Sequence, residues 1–156
     1  MMSGQTGHVD DAALTIVRLF RAMERVDSGL TPQQYRVLKL AGAGGERSAR
    51  LAEKLAIAKP TLTSTADGLV AAGLLTRETE TADRRAVRLR LTEAGDAAVH
   101  RADDIYSAWL GELLDRAGDP DRLLSGFAAI EQAMEEMWLA RRAAKVMGAG
   151  RSKGEA

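Results

Sequence analysis

The sequence contains no cysteine, which removes disulfides, thiol-based redox sensing and cysteine-ligated zinc from its possible chemistry. Histidine is nearly absent too. His8 and His100 stand far apart and leave a dedicated transition-metal site without ligands. Three prolines occur, and Pro32, Pro60 and Pro120 all read as residues that open a helix. No apolar run approaches the roughly 20 residues needed to span a bilayer. No secretory signal is legible either, so a soluble cytoplasmic protein without a membrane partner is expected. Serine with His and Asp, Cys with His, and paired carboxylates at diagnostic spacing are all missing, so neither an enzyme nor a cofactor is expected. The sequence Gly42-Ala43-Gly44-Gly45 is not followed by Gly-Lys-Ser/Thr and reads as a turn rather than a phosphate loop.

What remains is 156 residues, 46% hydrophobic and 28% charged, enough for one domain or one domain with an arm. Net charge is zero, which by itself argues against nucleic acid. Its distribution argues otherwise. Between Leu30 and Gly95 there are 11 Lys and Arg against 7 Asp and Glu, and the flanks carry the compensating negative charge. The centre of the chain can attract phosphate although the whole does not.

Periodicity divides the chain into helices around this centre. Ala13, Ile16, Val17, Phe20 and Met23 predict a long amphipathic helix from Val9 to Ser28. Thr31-Pro32-Gln33-Gln34 reads as a capping box with a first-turn proline, opening a helix that runs to Leu40 or Ala41. A short third helix follows over Ser48 to Ala56, packed through Leu51, Ala52 and Leu55. Thr92-Glu93-Ala94-Gly95 opens a fifth helix to Ala117, and Asp119-Pro120 a sixth to Val146. In the sixth, Leu123, Phe127, Ile130, Met134, Met137 and Trp138 form a continuous apolar stripe. The expected organisation is a flexible segment 1–8, helical flanks 9–29 and 96–147, a central unit 30–95 and a flexible tail 148–156. The apolar flanks exceed what the central unit can cover, which favours a homodimer over a bundle within one chain.

The segment Pro60 to Gly95 is the most informative. Its helix buries Leu62, Ala66, Leu69 and Val70 by spacing and leaves Thr61, Thr63, Ser64 and Thr65 outward. Leu74-Leu75-Thr76-Arg77-Glu78-Thr79-Glu80, a polar turn at Thr81-Ala82-Asp83-Arg84, and the alternating Ala86 to Leu91 then predict a β-hairpin. A helix with small hydroxyl side chains beside an arginine-bearing hairpin suits a DNA groove and its rim. The bland alternatives are a solvated helix face, a surface Asp83–Arg85 ion pair, and Arg88 and Arg90 as the wet side of a strand.

The ordered set Leu51-Ala52-Glu53-Lys54-Leu55, Pro60-Thr61-Leu62-Thr63, Asp67-Gly68-Leu69, Gly73-Leu74-Leu75, Asp83-Arg84-Arg85 and Leu91-Thr92-Glu93-Ala94-Gly95 resembles the MarR-type transcriptional regulators. The resemblance implies a mainly α fold of six helices with a small β-hairpin wing. In this winged helix-turn-helix, the terminal helices form the dimerisation region. It implies a homodimeric repressor of pseudo-palindromic double-stranded DNA that answers to a small molecule or oxidant. The DNA-binding residues would be Lys59, Thr61, Thr63, Ser64, Thr65, Arg77, Asp83, Arg84, Arg85 and Arg88. Arg85, oriented by Asp83, would enter the minor groove, and Arg77 and Arg84 would meet phosphates. Relatives that bind aromatic acids between the dimer helices and the winged lobe draw attention to Phe20 and Tyr35, with Arg18, Arg21 or Arg36 as the carboxylate's partner. A small aromatic or amphipathic effector is the partner expected there.

The chain departs from the family pattern where many relatives carry arginine at Ser64, a basic residue at Gly68 and a hydroxyl at Ala58. Direct reading of guanine by a bidentate arginine is therefore unavailable from Ser64, which leaves Lys59 as the only basic residue at the mouth of the helix and shifts the expected sequence preference to threonine contacts and DNA shape. A winged-helix protein-interaction module without DNA binding is the competing expectation.

Overall fold

The computed structural model describes residues 3–42, 44–79 and 86–151. In chain order its elements are α1 (Ser3–Met23), α2 (Pro32–Ala41), β1 (Glu46–Arg47), α3 (Ser48–Leu55), α4 (Lys59–Ala71), β2 (Leu75–Thr79), β3 (Val87–Leu91), α5 (Glu93–Ala117) and α6 (Pro120–Arg151). Two compact units result, Met1–Trp109 and Leu110–Ala156.

In the first unit, α2 starts as its sequence demands. Thr31 Oγ1 accepts from the Gln34 amide at 3.2 Å and the Gln34 side chain accepts from the Thr31 amide at 2.9 Å, closing the capping box ahead of Pro32. The helix ends at Gly42, whose φ of 59° a side chain would resist. Helix α3 closes on Ala56 at φ 53°, a left-handed position filled here without glycine. Three residues later α4 begins at Lys59, with Ala58 as an N-cap that supplies no side-chain bond. Its far end is orderly: Gly73 at φ 72° lets the Leu74 amide reach back to the Leu69 carbonyl at 2.9 Å.

The sheet is antiparallel, in the order β1-β3-β2. Register pairs Leu75 with Leu91, Arg77 with Leu89 and Thr79 with Val87. Strand β1 had no sequence signal: its two residues carry no alternation, and only pairing with Arg88 and Leu89 of β3 makes them a strand. Leu38, Leu51, Leu55, Leu69, Leu75 and Leu89 are fully buried, so α2, α3, α4 and the sheet share one core. At the corner where β3 meets α5, Thr92 Oγ1 donates to the Gly73 carbonyl at 2.7 Å and accepts from the Gly95 amide at 3.0 Å. A Cβ at Gly95 would collide with the Leu74 carbonyl oxygen, which explains the glycine inside a helix.

The helix termini differ from the sequence reading. Helix α1 begins at Ser3, within the segment expected to be flexible, and stops at Met23 rather than Ser28. The early start is physically cheap, because a nucleated helix lengthens at about 1 kcal/mol or less per unfavourable residue. The early stop has a local cause: short-range bonds Val26 to Met23 and Ser28 to Val26 tighten the chain before Gly29, at φ 76°. In the second unit, α6 opens on Asp119, whose carboxylate accepts from the Arg122 amide at 3.1 Å. It runs to Arg151, past the expected end at Val146 and into the expected tail.

Candidate nucleic-acid interface

Helix α4 turns Leu62, Ala66 and Leu69 into the core, where it packs on α2, α3 and β2. Val70 is half-buried, and Thr61, Thr63 and Ser64 are exposed. Thr65, expected outward, is half-buried. Two of these hydroxyls turn along their own helix: Thr63 Oγ1 donates to the Lys59 carbonyl at 3.0 Å and Thr65 Oγ1 to the Thr61 carbonyl at 2.9 Å. A Cβ built on Gly68 would meet nothing within 4 Å, so no neighbour among the described residues requires that glycine.

The cations around α4 differ sharply in what holds them. Arg77 of β2 pairs with Asp67 of α4 and donates to the Thr63 carbonyl at 3.4 Å, clamping strand to helix. Arg88 is half-buried and donates to the Gly45 carbonyl at 2.8 Å, bracing the turn before β1. Arg90 meets Glu78 across the hairpin at 3.0 Å. On α3, Arg50 and Lys54 converge on Glu46 at 3.6 and 3.4 Å. Burial pushes the Glu46 carboxyl up, but the Arg47 amide and those two cations outweigh it, and the group sits below its ordinary range. Lys59 stands apart. At the exposed start of α4 it has no acidic partner among the described residues.

A groove of about 570 Å³ runs between the start of α3, α4 and the sheet. Arg47, Ser48, Lys59, Thr63, Arg77 and Val87 lie along it. Ser48 fixes one wall by donating to the Val87 carbonyl at 3.0 Å. The structure thus gathers Lys59, Thr63 and Arg77 around one groove and leaves Thr61 and Ser64 exposed on α4. Asp83, Arg84 and Arg85, the expected wing tip, lie outside the described residues.

Residues 28–86 match the sequence model of the MarR family. The chain has a MarR-like fold. The M. tuberculosis transcriptional regulator MOSR, solved in complex with DNA, is 25% identical with a TM-score of 0.60 over 83% of this chain and 96% of that one. The regulator BldR from Sulfolobus solfataricus is 19% identical, with a TM-score of 0.70 over 85% and 99%. NadR, solved in complex with 4-hydroxyphenylacetate, is 23% identical, with a TM-score of 0.63 over 88% and 94%. In MarR-type terms, α3 and α4 are the helix-turn-helix, and β2 and β3 are the base of the wing.

The residues expected at a MarR-type effector cleft do not act as one group. Tyr35 leaves α2 toward α5, where its hydroxyl donates to Asp103 Oδ1 at 2.6 Å and its ring meets Tyr106 edge-on at 5.0 Å. Arg36 takes the other direction and donates to the Leu55 carbonyl at the end of α3, at 3.0 Å. Arg18 and Phe20 are exposed on α1. Sequence reasoning missed Asp103, which also takes the Lys39 ammonium at 2.9 Å. Burial pushes the Asp103 carboxyl up, yet the bonds from Tyr35 and Lys39 hold it below its usual range. Burial first, and then Asp103, push the Tyr35 phenol well above its ordinary value, so it remains a donor throughout the neutral range. Glu46 had a readable sign in its four-residue spacing to Arg50. Asp67 and Asp103 had none, because their partners lie on other elements.

Proposed function

We propose that the protein is a homodimeric transcriptional regulator that binds pseudo-palindromic duplex DNA through α4 and the wing. It acts as a repressor and releases the operator when a small aromatic or amphipathic effector binds. The observation that carries this reading is Lys59, without an acidic partner among the described residues, beside the exposed Thr61, Thr63 and Ser64 in a segment matching the MarR family. The solved DNA complex of MOSR supports the same use of the fold. In a two-fold dimer, the two copies of α4 would meet half-sites about 34 to 36 Å apart. Lys59 would anchor a phosphate at the groove edge, and Arg77, held by Asp67, would present a fixed charge beside it. From sequence, Arg84 is assigned to phosphate and Arg85, oriented by Asp83, to the minor groove. Arg88 supports this surface by bracing the turn at Gly45.

The exposed apolar residues of α1 and α6 support the dimer. NadR's complex with 4-hydroxyphenylacetate supports an aromatic acid as effector, with the exposed Phe20 and Arg18 of α1 as its aromatic contact and its cation.

Selection of bound fragments from random and genomic duplex DNA at physiological salt tests the reading. A two-fold symmetric site whose affinity falls steeply with salt is the expected result. Absence of any enriched sequence, with and without aromatic acids, would favour the protein-interaction module, which the near-complete pairing of the described cations around α4 makes the specific alternative.

A further inference from the structure

We infer that α4 reads one A·T step of its operator through the methyl group of Thr63, set against the 5-methyl group of a thymine. This inference deepens the DNA-binding reading above and rests on it. Guanine presents only acceptors, N7 and O6, on its major-groove edge, so recognising it takes a donor. Helix α4 contains no arginine. The guanidinium of Arg77, beside the helix, is taken up by Asp67 and the Thr63 carbonyl. Thr63 itself has already spent its one hydroxyl proton on the Lys59 carbonyl at 3.0 Å. What this exposed side chain still offers is a methyl group and the lone pairs of its oxygen.

That pair of features fits an A·T step and fits G poorly. The thymine methyl is the one apolar group on the major-groove floor, and threonine methyls pack on it. Adenine N6 next to it is a donor that the remaining lone pairs of Thr63 can accept. Neighbouring Thr65 is turned the same way, with its proton on the Thr61 carbonyl at 2.9 Å, and is half-buried, so it supports the helix face without reaching as far. Ser64 lacks a methyl, and Lys59 supplies charge without a fork-shaped donor pair. Thr61 and Ser64 are exposed beside it with hydroxyl groups of their own, so the Thr63 methyl is one distinct part of what α4 can read.

Replacing thymine by deoxyuridine removes that methyl and nothing else, which makes the test direct. With the operator recovered by selection, each thymine of one half-site is replaced in turn, and binding is measured for the full-length protein, Thr63→Ser and Thr63→Val. At one position the wild type should lose about fourfold in affinity, the burial of one carbon. Thr63→Ser, which keeps the hydroxyl and removes the methyl, should bind the two operators equally. Thr63→Val, which keeps a methyl and removes the hydroxyl, should retain the discrimination. Uracil tolerated at every position, or discrimination that survives Thr63→Ser, would overturn the inference while leaving sequence-specific binding intact. Failure to select any DNA would remove the binding reading and this inference together.

Discussion

Two backbone positions in this protein are filled against opposite pressures. Ala56 occupies φ 53° at the end of α3, where a Cβ crowds the following carbonyl at roughly 1–2 kcal/mol. Ala56→Gly should therefore stabilise the fold by about 0.5 kcal/mol after the extra unfolded-state freedom is subtracted. Urea denaturation at equilibrium measures this, and a loss of stability would mean that the alanine methyl packs usefully in the turn. Gly95 is the converse. Gly95→Ala would drive a Cβ into the Leu74 carbonyl, which is backbone and has no rotamer to escape to, and should destabilise by about 1–3 kcal/mol. An unchanged denaturation midpoint would show that β2 and α5 can separate without loss. The sequence motif Leu-Thr-Glu-Ala-Gly marked this corner as a helix start, but the reason for its glycine is a contact with the turn between α4 and β2, which periodicity along the chain does not encode. Ala56 was similarly silent, since alanine is neutral to every local signal.

Helix α2 is tied at both of its faces. Arg36 reaches the carbonyl end of α3, where a cation also suits the helix dipole, and Tyr35 with Lys39 reaches Asp103 on α5. On the α5 side the clasp continues, with the Tyr106 hydroxyl and Ser28 Oγ 3.0 Å apart and Ser28 donating to the Leu30 carbonyl at 3.0 Å. Its pH behaviour follows from Asp103, whose carboxyl is depressed in the folded state. The stability it contributes is complete above the ordinary carboxylate range and is lost as pH falls through the lower folded value. Tyr35→Phe removes the phenol's bond to that charge and should cost about 1–2 kcal/mol at pH 7. At pH 3, below the ordinary carboxylate range, the difference between the two proteins should narrow, since the unfolded carboxyl is protonated there and the native state gains less by holding the charge. Urea unfolding at both values checks this, and a gap that does not change with pH would show that Tyr35 acts through packing on Tyr106 alone. The helices themselves were legible, because capping boxes and apolar spacing are local. The clasp was not, because Tyr35 and Asp103 are 68 residues apart and either alone reads as an ordinary surface or core residue.

At the scale of the whole molecule the governing observation is apolar surface that each unit leaves to solvent. In the first unit, Val9, Ile16, Val17 and Phe20 are exposed along α1, Ile16 by 63%. In the second, Leu123, Phe127, Ile130, Met134 and Met137 recur at three and four along α6 and are exposed, Met134 by 65%. Single exposed apolar residues are commonplace, but continuous stripes on long helices are not. A second copy covers such a stripe with an identical one under two-fold symmetry, and the same symmetry would set two α4 helices one turn of DNA apart. In the homodimer proposed above, dimerisation and operator reading would be linked. Ile130→Asp places a carboxylate in the middle of the α6 stripe, where a partner helix would strip it of water without offering a cation. Sedimentation should show the wild type as a dimer and the variant shifted to monomer, with operator affinity falling steeply since each half-site would then be held alone. Circular dichroism should find the helix content unchanged, since the residue is exposed within its own chain. A variant that remains a dimer would move the interface off this stripe, whereas a dimer that binds no DNA would separate assembly from recognition.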